Sequence, residues 1–128
     1  MKLLGADIRE PVEHLETIPL EESAQVKTIT FAVTEFTARC PVTKQPDYYH
    51  IEIEIEPNLC SIESKSLKLW LWKYRDMGVF CETLSAEILK EVFDIVQPQT
   101  ASVTVSQASR GGIQIKAKAS KNASDAII

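Results

Sequence analysis

Arg39–Asp47, "RCPVTKQPD", sets a cysteine and an aspartate seven residues apart across a short polar turn. A thiolate is a strong nucleophile when a nearby group manages its proton. A carboxyl group across the loop could be that partner if burial keeps it protonated. The bland alternative is a small buried hydrophobe at Cys40, since free cysteine is among the most buried residue types. A second stretch, "ESKSLKLW" (Glu63–Trp70), sets Lys65 and Lys68 three apart behind a serine. Two ammonium groups with free backbone N–H groups at a helix start suit phosphate recognition. The competing reading is an ordinary amphipathic helix with solvated lysines. A third candidate is Glu82, in "GVFCETL": it could accept paired hydrogen bonds from a purine-like edge, or simply decorate a helix start.

The elements that must hold these residues are legible in outline. Val26–Ala38 is rich in β-branched and aromatic residues and reads as a strand. In Tyr49–Glu56, Ile51, Ile53 and Ile55 alternate with Glu52, Glu54 and Glu56. Period two puts the isoleucines on one face and a solvated glutamate row on the other. Cys40 and Asp47 then lie on a strand–loop–strand connection. Leu67, Trp70, Leu71 and Tyr74 share one helical face, and Gly78 is placed to end that helix. Ser85–Val96 reads as a second helix, with Ser85 as its N-cap and Pro98 closing it. Thr100–Gln107 and Gly112–Ala119 alternate as strands around the hairpin loop "ASRGG". The expected order is ββααββ: an α+β domain with a four-stranded antiparallel sheet and two helices on one face. The domain spans residues 24–119. An arm with little regular structure, Met1–Ser23, precedes it, suited to docking on a neighbour and carrying a surface His14. A polar tail, 120–128, follows. Two open sheet edges invite pairing with another subunit.

The whole chain narrows the classes. At 128 residues it is one domain. A net charge of −4 argues against a general nucleic-acid binder. No apolar run approaches the ~20 residues of a membrane span, and no signal-peptide pattern opens the chain, which points to the cytoplasm. Three widely spaced cysteines, Cys40, Cys60 and Cys81, make neither a disulfide framework nor a zinc pair.

"CPVTKQPD", "ESKSLKLW", "FCE" and "RGGIQI", in that order and spacing, resemble the NADPH-dependent 7-cyano-7-deazaguanine reductases of queuosine biosynthesis. The likeness covers about Phe36–Ile115. It implies a tunnelling fold, with subunits joined edge to edge into a barrel, interfacial active sites and two stacked rings. It also implies roles by position. Cys40 is the nucleophile that forms a covalent thioimide with the nitrile, and Asp47 the proton donor. Ile62, Glu63, Ser64, Cys81 and Glu82 hold the deazaguanine base. Lys65, Lys68 and, as a weaker guess, Arg110 contact NADPH. Neither a metal nor direct contact with nucleic acid is implied.

The sequence departs from that family in two places that matter. Cys81 stands where the family usually has histidine, and Lys44 where it usually has glycine. His50, three residues past Asp47, is the histidine nearest the motif. Three rivals follow: an amidinotransferase acting on cyano-deazaguanine already in tRNA, a zinc cyclohydrolase built on Cys40, Cys81 and His50, and a non-catalytic base-binding relative. The retained lysine motif argues against the first, and the reductase motifs against the second.

Overall fold

The computed structural model of the chain describes residues 10–21 and 25–126. Residues 1–9 and 22–23 of the expected arm, and the last two residues of the tail, lie outside them. The elements, in order, are β1 (Thr17–Pro19), β2 (Ile29–Arg39), β3 (Pro46–Glu56), β4 (Cys60–Ile62), α1 (Ser64–Trp72), a 3-10 turn (Lys73–Asp76), α2 (Cys81–Val96), β5 (Thr100–Arg110) and β6 (Ile113–Asn122). The main sheet runs β2-β3-β5-β6, antiparallel throughout, so the ββααββ order holds.

Alternation in β3 works as its sequence demands. Ile51, Ile53 and Ile55 are fully buried, while Glu52, Glu54 and Glu56 are exposed. Val103 and Val105 of β5 continue the apolar face beneath Leu84, Ile88 and Val92 of α2, and Leu67, Trp70 and Leu71 of α1 join the same core. Each such side chain, fully buried, contributes roughly 1.5–3 kcal/mol.

Several boundaries differ from expectation. The arm docks on its own chain: β1 pairs with β4, and Leu15 enters the core at 3% exposure. Its backbone N–H donates to Glu91 on α2. α2 begins at Cys81, four residues before the expected cap. Ser85 is buried inside the helix, where its hydroxyl donates to the Glu82 carbonyl at 2.8 Å. α1 gives way to the 3-10 turn before Gly78. That glycine serves close approach instead: a Cβ there would lie 3.0 Å from the Pro41 Cα. β6 runs on to Asn122, because its ladder with β5 continues to Thr100.

Candidate active site

Antiparallel order brings three strand ends together. β2 ends next to Cys40, β3 begins at Pro46–Asp47, and β5 ends at Arg110. A register slip of one residue interrupts β2 between Val33 and Phe36, and another interrupts β5 between Gln107 and Arg110. Such bulges bend a strand and re-aim the side chains beyond it. Here both precede a candidate site residue. The β5–β6 turn is Gly111-Gly112, with φ of 60° and 80°. A two-residue hairpin of this hand needs positive φ twice, which two glycines supply without strain.

Cys40 is 6% exposed. Its own backbone closes the loop around it: the N–H donates to Gln45 O at 2.8 Å, and the carbonyl accepts from Lys44 N at 3.0 Å. Lys44 is held at φ 65°, the left-handed region, which explains a preference for glycine there. The Thr43 N–H points at the sulfur from 3.5 Å. Hydrogen bonds from the Thr43 side chain, then from the Thr43 and Val42 backbone and from Arg110, outweigh burial and lower the thiol pKa to about 7.

Asp47 pairs with Ala38 across the β2–β3 ladder and is 4% exposed. Arg110 Nη1 lies 3.0 Å from its Oδ1. The Tyr49 hydroxyl lies 3.5 Å from Oδ2 and 3.3 Å from the Val79 carbonyl. Burial, followed by the Asp47 charge, pushes the Tyr49 phenol well up. With its amide oxygen turned inward, Gln107 accepts from Arg110 Nε at 3.0 Å and from Nη2. Tyr49 and Gln107 were not singled out from the sequence. Their signal was present: Tyr49 shares the inward face of β3 with Asp47, and Gln107 is polar on an inward register otherwise filled by Ala101, Val103 and Val105.

The other candidates sit on neighbouring elements. Residues Met77–Val79 run alongside the end of β2, with Arg39 N donating to Met77 O and Val79 N to Arg39 O. This ties the start of α2 to the cysteine loop. Cys81 is buried, and its thiol donates to the Val105 carbonyl at 3.3 Å. Burial first, and the Glu82 charge second, push that thiol up, so it is a poor proton carrier. Glu82 is exposed in the first turn of α2. Ile62 is buried in β4 and Ser64 opens α1. The Glu63 carboxylate caps that helix, accepting from Lys65 N at 2.8 Å and Ser66 N at 2.7 Å. Two of the backbone N–H groups expected to be free for phosphate are therefore taken, because the preceding residue carries its own anion. His50 lies on the opposite face of β3 from Asp47 and Tyr49, as period two requires, and does not approach the site. Among the described residues no group of three His, Cys, Asp or Glu side chains could hold a metal ion.

A groove of about 950 Å³ runs along the open edge of β2 against α1, lined by Ser64, Lys68, Trp72 and Arg75 among others. Two cations, a hydroxyl and an indole form a donor set that fits a phosphorylated, planar cofactor.

The family model described as "QueF-like protein" matches residues 46–126. An NADPH-dependent 7-cyano-7-deazaguanine reductase of Syntrophus aciditrophicus is 39% identical over 119 residues, covering 93% of this chain and 84% of its own. This chain belongs to the 7-cyano-7-deazaguanine reductase family. A member from Frankia casuarinae is 40% identical over 103 residues, 80% of this chain and 81% of that one. One from Halorhodospira halophila is 39% identical over 104 residues, 81% and 88%. The crystal structure of an apo archaeosine synthase QueF-Like superposes with a TM-score of 0.71 at 21% identity, covering 76% of this chain and 95% of that one. That likeness places the family's tunnelling fold on this chain.

Proposed function

We propose that this protein reduces 7-cyano-7-deazaguanine to 7-aminomethyl-7-deazaguanine with NADPH, in queuosine biosynthesis. The observation that carries the reading is a buried cysteine with an acidified thiol, in the loop that leads into a buried Asp47 held by Arg110, in a chain whose relatives bear that activity in their names. A nitrile is a poor hydride acceptor. Attack by Cys40 Sγ forms a C–S bond and breaks one π bond of the nitrile, while Asp47 delivers a proton to the nitrogen. The product is a thioimide, whose C=N accepts hydride more readily. NADPH, when bound, supplies hydride, and two equivalents account for the four electrons between nitrile and amine. Cys40 departs as a thiolate between the two reductions. Glu82 fixes the guanine-like edge, with Ile62, Glu63, Ser64 and Cys81 shaping the base site. Lys65 and Lys68 meet the cofactor's phosphates, and Arg110, ion-paired with Asp47, is the weaker candidate for the same contact.

Exposed apolar side chains near the site support an interfacial arrangement: Val42 in the cysteine loop, Phe80 ahead of α2, and Ile113 at the hairpin. Open edges at β2 and β6 support a ring of subunits, two of which stack. Three free thiols fit a reducing, cytoplasmic setting. Among the described residues no helix is long and apolar enough to cross a membrane.

The test is NADPH oxidation at 340 nm with 7-cyano-7-deazaguanine, for the native protein and Cys40→Ala. About two NADPH consumed per substrate, abolished in the variant, is the expected result. A Cys40-dependent adduct without NADPH oxidation would sink the reductase reading and favour amidine formation by the same thioimide.

A further inference from the structure

Gly78 is where the cysteine loop and the approach to α2 touch. Its backbone runs beside Arg39, the residue before Cys40: Arg39 N donates to Met77 O at 3.0 Å, and Val79 N donates to Arg39 O at 3.2 Å. The residue after the cysteine closes in as well. A Cβ on Gly78 would meet the Pro41 Cα at 3.0 Å, and the Pro41 Cβ and N at 3.5 Å. To admit it, Pro41 would have to give way by a few tenths of an ångström. Positive φ belongs to Gly111 and Gly112 among the described glycines, so Gly78 is required for space and not for backbone freedom.

The Met77–Val79 segment also reaches the rest of the site. The Val79 carbonyl lies 3.3 Å from the Tyr49 hydroxyl, which lies 3.5 Å from Asp47 Oδ2. Two residues after Val79, α2 opens at Cys81, whose thiol donates to the Val105 carbonyl at 3.3 Å. Glu82 follows in the first turn. The segment is therefore a crosspiece, with both flanks of Cys40 on one side and the approach to Glu82 on the other.

We infer that Gly78 is a positioning residue for nitrile addition: pressed against Pro41, it sets the separation between the Cys40 thiol and the Glu82 carboxylate. This rests on the proposed function, in which the two groups serve one substrate as nucleophile and base anchor. The base is a flat fused ring, and its nitrile carbon stands at a fixed distance and direction from the guanine-like edge. No rotatable bond in such a ligand absorbs a misplacement. The spacing must be built into the protein, and a loop can hold it only against a rigid stop. Proline with its fixed φ on one side, and a backbone without a side chain on the other, make that stop. Addition is sensitive to it, since a misplacement of about 1 Å costs roughly 100-fold in rate.

The experiment compares two rates in the full chain. One is Cys40-dependent adduct formation with saturating 7-cyano-7-deazaguanine, without NADPH. The other is Cys40 alkylation by iodoacetamide, resolved from Cys60 and Cys81 by peptide mass spectrometry. Iodoacetamide needs no base anchor, so it reads the thiol alone. Gly78→Ala should slow the adduct by roughly 10- to 100-fold while alkylation stays within about 3-fold. Val92→Ala, which opens a cavity in the α2 core away from the crosspiece, should lower the urea midpoint yet keep both rates within about 3-fold. Pro41→Gly removes the stop from the loop side and should also slow the adduct. Combined with Gly78→Ala, it should cost less than the product of the two single effects, because the freed loop moves off the new methyl group. An unchanged adduct rate in folded Gly78→Ala overturns the assignment. So does an equal loss in Val92→Ala, which would trace the effect to stability alone, or a double variant that is simply additive. Should Gly78→Ala fail to fold, an unchanged adduct rate in Pro41→Gly overturns it. A native protein that is alkylated at Cys40 but forms no nitrile adduct overturns the reductase reading, and the positioning role falls with it.

Discussion

Lys44 shows how a single residue can carry a cost that its neighbours absorb. It occupies the left-handed region at φ 65° inside the loop that cups Cys40, and its N–H donates to the Cys40 carbonyl. Side chains with a Cβ are strained there, whereas glycine is not. Lys44→Gly should stabilise the fold by about 1 kcal/mol, with part of the gain returned to the greater freedom of the unfolded chain. Urea denaturation reads this directly, and a variant less stable than the native protein would contradict it. Cys40 chemistry should change little, because the hydrogen bonds to sulfur come from Thr43, Val42 and Arg110. Residue types alone marked Cys40 and Asp47 as candidates for a nucleophile and its proton partner. They could not show what holds the pair. Arg110 stands 63 positions beyond Asp47, and only strand order brings it back.

At the scale of elements, alternation in the sequence specifies the strands of the sheet, whereas the helix caps do not follow from residue type alone. Ile51, Ile53 and Ile55 name the buried face of β3 from the sequence, because side-chain direction in a strand follows from the backbone alone. Helix starts depend on which polar group reaches which N–H, and several residues compete. Ser85 looked like a cap, yet α2 begins at Cys81, where Met77–Val79 is pinned against β2 and sets the chain's direction. In α1 the cap is Glu63, whose two carboxylate oxygens satisfy Lys65 N and Ser66 N. Glu63→Ala should cost about 1–2 kcal/mol in chemical denaturation, since it removes both bonds from a buried helix start. A loss near zero would show that water serves that end as well as the carboxylate does. The β1–β4 pair was invisible from sequence because each strand is three residues long, too short to show a period.

The whole molecule poses a question that one protomer leaves unanswered: its candidate site is split. Cys40, Asp47 and Arg110 meet at one end of the sheet, and the segment leading into Glu82 is tied to them. Lys68 and Ser64 line the groove on the open edge of β2. If protomers pair edge to edge, the β2 edge of one would meet the β6 edge of the next, bringing the neighbour's β5–β6 hairpin toward the groove. One protomer would then supply the nucleophile and the next the lysines. This arrangement predicts complementation between inactive variants. Cys40→Ala removes the proposed nucleophile, and a Lys65→Ala, Lys68→Ala double variant removes the proposed cofactor-binding cations. If each site draws on two protomers, unfolding and refolding an equal mixture should restore about a quarter of native NADPH oxidation, the fraction of random interfaces that unite both intact halves. If each site lies within one protomer, mixing restores nothing, since every protomer in the mixture carries a lesion. Sedimentation of the refolded mixture confirms that assembly took place. Replacing Ile113 and Ile115 on the β6 edge with lysine, which discourages strand pairing, should both lower the sedimenting mass and abolish the recovery.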